Sequence, residues 1–118
     1  MRIRIKRAED PPAPEDGYRI LVECPWDEGA IPEEAHIDLW ARELTPSDDL
    51  CEYLRGDEAR WDEFRRRYYA ELNVRVEEIS RLAKMASQQQ VTLVYATGTE
   101  RYNTAVALRE FVEYRFNL

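Results

Sequence analysis

Two turns in this chain carry residues with chemical potential. The first is Thr97-Gly98-Thr99-Glu100, which follows the apolar run Val91-Thr92-Leu93-Val94-Tyr95-Ala96 and precedes a helical stretch. Two hydroxyls, a glycine permitting close backbone approach, and N–H groups at a helix start make a small anion site. Arg101 and Asn103 follow. Neither Gly-x4-Gly-Lys nor Gly-x-Gly-x-x-Gly is present, so an ordinary capped helix start explains the same residues. The second turn is Glu23-Cys24-Pro25-Trp26, which leaves the run Tyr18-Arg19-Ile20-Leu21-Val22. Cys24 sits at a strand end, where nucleophilic thiols are often displayed, yet Glu23, Asp27 and Glu28 disfavour a thiolate. Trp26 is a large aromatic in a polar loop, placed to anchor that loop.

Other groupings are weaker. Glu33, Glu34, His36 and Asp38 offer oxygen and imidazole ligands, but His36 is the single histidine, so solvated loop carboxylates are the better account. Arg65-Arg66-Arg67 lies between Phe64 and Tyr68, on the flanks of a core-facing stripe. Surface ion pairs with Asp62, Glu63 and Glu71 are expected there rather than phosphate binding. Cys24 and Cys51 are too few for a disulfide framework or a zinc site, and read as reduced thiols in or near the core.

These residues must be positioned by one domain: 118 residues do not suffice for a second core, so 1–118 reads as a single unit. Ile3 and Ile5 alternate with Arg2, Arg4 and Lys6, the pattern of a half-buried edge strand. Residues 9–17 hold three prolines and four carboxylates and form an exposed loop. Residues 18–23 and 91–96 read as more buried strands, the latter central. A fourth strand is allowed between Cys24 and Leu39. Ile37, Trp40 and Leu44 have helical spacing, which predicts a short helix around Asp38 to Leu44. Thr45-Pro46-Ser47-Asp48-Asp49 then starts a helix that Gly56 stops. Trp61, Phe64, Tyr68 and Leu72 begin a stripe that continues to Ala86. A single rod of about 30 residues would be about 45 Å long and would protrude, so a break near Asn73 is expected. Thr97 with Glu100 has capping-box spacing for the last helix, with Thr99 as the other candidate cap. Strands alternating with helices predict a three-layer α/β domain, its small, mostly parallel sheet flanked by helices on both faces.

Charge narrows the partners. The chain carries a net charge of -7, unevenly spread: residues 1–7 have four basic groups and no acid, residues 8–63 have 18 acids against four bases, and residues 64–118 have nine bases against six acids. Nucleic acid and anionic membranes are therefore not expected partners. No apolar run spans a bilayer and the N-terminus is not that of a signal peptide, which predicts a cytosolic protein. The acidic stretch is expected either to pair internally with the basic strand and helices or to face a partner.

The order Asp16-Gly17-Tyr18-Arg19-Ile20-Leu21-Val22, Trp26, Gly29, Asp38-x-Trp40, Pro46-Ser47 resembles the short, YeaO-like branch of the domain of unknown function 488 family. Trp61-x-x-Phe64-x-x-x-Tyr68-x-x-Glu71-Leu72, Thr92-Leu93-x-Tyr95-Ala96 and Asn103-x-Ala105-x-x-Leu108 extend the likeness over nearly the whole chain. The resemblance implies a single α/β domain and no established activity. Against the branch pattern, the loop after the second strand has lost both arginines, Cys51 stands where Arg is usual, Gly56 replaces a His, and Thr99 replaces an Asp. A divergent member with an altered or lost ancestral site is the expectation.

In an open parallel sheet, ligands bind beyond the carboxyl ends of the strands. The expected function is accordingly a ligand-binding or non-catalytic module. Its altered pocket would take Glu23, Cys24, Trp26 and Asp38 from one side and Thr97, Gly98, Thr99 and Asn103 from the other. A small anionic ligand fits that pocket, and no cofactor or metal is implied. One alternative is an enzyme for a small anionic or nucleotide-like substrate, with Glu23, Asp38 or His36 moving protons. Another is an acidic protein-interaction domain built on residues 8–63. All pocket readings require the strands ending at Glu23 and Ala96 to lie side by side and parallel.

Overall fold

The computed structural model describes residues 3–23, 35–96 and 98–116. Four parallel strands form its sheet: β1 (Ile3–Arg7), β2 (Tyr18–Leu21), β3 (Leu39–Trp40) and β4 (Val91–Tyr95), in the spatial order β1-β4-β2-β3. β4 is central and buried at all five positions, which explains its unbroken apolar character. β1 lies at the edge, with Arg4 exposed. The register pairs Tyr18 with Val91 and Leu21 with Val94, and the Val22 N–H still donates to the Val94 carbonyl at 2.9 Å. The strands leading to Glu23 and Ala96 are therefore neighbours and run the same way, as the pocket readings required.

The helices are α1 (Asp48–Leu54), α2 (Trp61–Leu72), α3 (Val76–Gln88) and α4 (Thr104–Arg115). Ser47 caps α1 by accepting from the Leu50 N–H, and Pro46 keeps the preceding chain from continuing the helix backwards. The break between α2 and α3 falls at Asn73-Val74-Arg75, and the folded chain has a radius of gyration of 13.3 Å, too small for one long rod. The Arg65–Arg67 run makes surface ion pairs as expected: Arg66 and Arg67 both bind Glu63, and Arg65 binds Glu110 and Asp62. Arg66 and then Arg67 draw the Glu63 carboxyl down to about 2. Glu71 takes no part in that network; it binds Ser47 instead.

Alternation along the strands separates two faces. Ile3, Ile20, Val22, Val91, Leu93 and Tyr95 point into the main core, where all four α-helices contribute buried side chains such as Leu50, Phe64, Ile79 and Leu108. The opposite face presents Leu21 and Val94 to Ala8 and Ala35. The single α/β domain with a small parallel sheet holds. Its second covering layer is thinner than expected: the described chain on that side offers a 3-10 turn at Pro14–Asp16 and connecting segments, in place of α-helices.

That thin layer is held by a buried charge cluster. Asp16 accepts from Arg19 Nη1 at 2.6 Å, from Lys6 Nζ at 3.1 Å and from the Ala13 N–H at 3.0 Å. Arg19 Nε also donates to the Ala35 carbonyl at 2.9 Å. Here the acidic stretch pairs internally with the basic first strand.

Three expectations are corrected. Residues 38–44 do not form a helix: Leu39 and Trp40 pair with Ile20 and Leu21 as β3, and Arg42–Leu44 is a 3-10 turn. The helical spacing of Ile37, Trp40 and Leu44 is coincidental, because Trp40 and Ile37 pack on the thin side of the sheet and Leu44 on the helical side. α4 begins at Thr104 with Asn103 as its cap, several residues after the Thr97–Glu100 spacing suggested. Finally, Cys51 is not a free thiol: it is disulfide-bonded. Among the described residues no helix is long and apolar enough to cross a membrane.

Candidate functional site

β2 and β4 end at the same edge of the sheet, and the elements that follow them lie on opposite sides. β2 leads toward β3 on one side, and β4 leads to α4, which packs over β4 and β1 on the other. A ligand crevice in an open parallel sheet belongs at such a divergence. Beside it lies a cavity of about 290 Å3. One wall is the end of α1 and the turn after it, Leu54, Arg55, Gly56 and Glu58; the other is Gly98, Thr99, Tyr102 and Asn103.

The second wall is a loop bonded to itself. The Thr99 N–H donates to the Tyr102 carbonyl at 3.1 Å, and the Tyr102 N–H donates to Thr99 Oγ1 at 3.1 Å. Asn103 is 2% exposed, donates from Nδ2 to the Thr99 carbonyl at 2.8 Å, and accepts from the Val106 N–H at 2.9 Å. Gly98 has a φ of +97°, and a Cβ there would stand 2.5 Å from the Tyr102 carbonyl oxygen, so glycine alone fits. Trp61 braces Tyr102, their ring centroids 5.3 Å apart. Residues 98–103 thus form a rigid surface whose polar groups are mostly engaged, which leaves fewer N–H groups for an anion than the turn's composition promised.

The first wall owes its shape to how α1 ends. Arg55 takes a left-handed conformation at the C-cap, with its N–H donating to the Cys51 carbonyl, and Gly56 continues the turn at positive φ. Arg55 pairs with Glu52 at 3.0 Å on the surface. The disulfide-bonded Cys51 also borders the cavity.

The sequence-predicted residues divide into three groups. Gly98, Thr99 and Asn103 come together at the cavity. Glu23 is 2% exposed just past the end of β2, near this edge but not lining the cavity. Asp38 lies toward the opposite end of the β2–β3 pair, where its carboxylate accepts from the Arg19 N–H at 2.9 Å and its own N–H donates to the Arg19 carbonyl. It orders backbone and does not face the cavity. Cys24, Trp26 and Thr97 lie outside the described residues. His36 is exposed, and Glu33 and Glu34 also lie outside the described residues. Sequence reasoning missed Leu54, Arg55, Glu58 and Tyr102. Gly56, read there as a helix stop and as the replacement of a His in the family pattern, was the available signal for that wall.

The family whose model matches residues 2–117 is described as the inactive DUF488-N3 subclade. The uncharacterised protein YeaO of Escherichia coli (strain K12) is 37% identical over 112 residues, covering 95% of this chain and 97% of the relative. The uncharacterised protein Rv3073c of Mycobacterium tuberculosis (strain ATCC 25618 / H37Rv) is 30% identical over 114 residues, covering 97% and 96%. No solved structure matches significantly.

Proposed function

The chain belongs to the domain of unknown function 488 family, and on that premise we propose that it is a non-catalytic module that binds a small molecule at the diverging edge of β2 and β4. The observation that carries this reading is the cavity of about 290 Å3 between the end of α1 and the Gly98–Asn103 loop. Its volume suits one ring-sized ligand. Leu54 and Tyr102 offer apolar contact, and Arg55 stands at the mouth for one anionic group. The description of the matching subclade as inactive supports binding without turnover. So does the commitment of the Asn103 amide to capping α4, which removes it as a reacting group.

Glu23 favours a second reading, an enzyme acting on a small anionic substrate, because a carboxylate buried at a strand end is the sort of group that proton transfer uses. One experiment separates the two. A thermal-shift screen of nucleotides, sugar phosphates and small aromatic acids is run on the wild type and on Leu54→Trp, which fills the cavity. A ligand at 100 times its dissociation constant adds about 2.7 kcal/mol of stability. The binding reading predicts a saturable rise in Tm that Leu54→Trp abolishes, with the ligand recovered unchanged. Conversion of the ligand by wild type but not by Glu23→Gln would establish the enzyme reading. The absence of any saturable ligand would defeat both.

A further inference from the structure

A second cleft lies on the other side of β4, along the edge strand. It encloses about 440 Å3 between the carboxyl end of β1, the end of β4 and the exposed side of α4. Ile5 and Val106 form its apolar wall, and Arg7, Tyr95 and Arg109 converge on it. Strand pairing sets Arg7 directly beside Tyr95, and the Arg7 guanidinium lies 5.6 Å from the Tyr95 ring centroid.

Arg109 is the unexplained group. It is only partly exposed, its Nε is fully buried without a hydrogen-bond partner, and it makes no ion pair among the described residues. The two other cations lining the cleft, Lys6 and Arg7, have partners. Lys6 binds Asp16 and the Pro11 carbonyl, and Arg7 reaches Glu9 at 3.3 Å on the open surface. The acids near the cleft do not neutralise Arg109. Asp10 is held by the Arg7 N–H at 3.0 Å, and Glu100 lines the cleft from an exposed loop. A buried guanidinium N–H left without an acceptor costs free energy, which an anion seated in the cleft would recover.

We propose that this cleft binds the phosphate group of a small organic phosphate, with Arg7 and Arg109 as its two guanidinium ligands. Three terminal oxygens allow one dianion to accept from both planar forks, which a carboxylate with two oxygens does less well. The position beyond the carboxyl ends of β1 and β4 is where such ligands sit in parallel sheets. This cleft shares none of its lining residues with the cavity beside α1.

The test is an amide NMR titration with inorganic phosphate against chloride at matched ionic strength. Saturable shifts at Arg7, Val106 and Arg109 are expected. Arg109→Gln should weaken binding at least tenfold, Arg75→Gln, the same charge change at an exposed remote turn, should leave it unchanged, and Glu100→Gln should tighten it severalfold by removing the competing carboxylate. Should Arg109→Gln fail to fold, Arg7→Gln gives the same reading from a side chain that is 39% exposed. No saturable response beyond chloride, equal binding in Arg109→Gln or Arg7→Gln, or an equal response to acetate would overturn the phosphate assignment.

Discussion

Ser47 and Glu71 bind each other through two hydrogen bonds: the Ser47 N–H donates to Glu71 Oε1 at 2.9 Å and its Oγ donates to Oε2 at 2.6 Å. The same Oγ accepts from the Leu50 N–H at 3.3 Å, so one hydroxyl caps α1 and ties it to α2. This contact fixes where α1 starts and ties that end to α2, while Arg55 and Gly56 stand at the other end of the helix, beside the candidate cavity. Ser47→Ala is expected to cost about 1 kcal/mol through the lost cap. A double-mutant cycle with Glu71→Gln should give a coupling of about 0.5 kcal/mol or more, measured by chemical denaturation, because the two residues act through one contact. Additive losses would show that the pair is only a surface coincidence.

The Asp16 cluster predicts an acid-sensitive fold. Burial alone would raise the Asp16 carboxyl, but the Ala13 N–H, Lys6 and Arg19 outweigh it and hold the group below its ordinary value. A carboxyl lowered in the folded state contributes stability above its unfolded value of about 3.9, and that contribution is lost as pH falls through the native value. Asp16→Asn should therefore lower stability at pH 7 and flatten the acid limb of the stability curve. The expected loss is about 3–5 kcal/mol, since Arg19 would be left buried without its counter-charge. Denaturant titrations from pH 7 to pH 2 read both effects.

The loop before α4 predicts a contrast between two glycines. Gly98→Ala would drive a Cβ against the Tyr102 carbonyl oxygen at positive φ, while at Gly56 nothing lies within 4 Å. Gly56→Ala then carries only the backbone cost of about 1 kcal/mol. Gly98→Ala should exceed it clearly, at about 2–3 kcal/mol, and should shift the amide signals of Thr99 and Tyr102.

Cys51 predicts redox dependence. No thiol should titrate in the folded, oxidised protein, and two should appear after unfolding in reductant. Reduction or Cys51→Ser should lower stability by about 2–4 kcal/mol, read as a shifted denaturation midpoint. Because Cys51 borders the cavity, the same treatment should alter the amide signals of Leu54 and Arg55.

Much of the fold was legible where a residue pattern had one physical solution. The apolar, β-branched run of β4 and the Ile alternation of β1 could be read directly. The α2–α3 break followed from length alone, since a compact chain has no room for a continuous rod. β3 was hidden because two residues, Leu39 and Trp40, carry no periodicity, and their pairing with Ile20 and Leu21 is decided by tertiary packing. The α4 start was misplaced because Thr97 and Glu100 imitate a capping box, whereas the Asn103 side chain both caps the helix and ties the loop together. For the site, Gly98, Thr99 and Asn103 could be found because they follow a clear strand. Of the facing wall, Cys51 and Gly56 were marked as departures from the family pattern, but Leu54, Arg55 and Glu58 were not, because ordinary helix-end residues become a wall only when α1 and that loop face each other.

The proposed small-molecule site lies at the edge where β2 and β4 part. A fragment screen by amide NMR tests it most directly. Binding fragments should shift Leu54, Gly98, Thr99 and Tyr102 together, and Leu54→Trp should erase those shifts. Fragments that bind only elsewhere, or that perturb these four amides equally in Leu54→Trp, would contradict it.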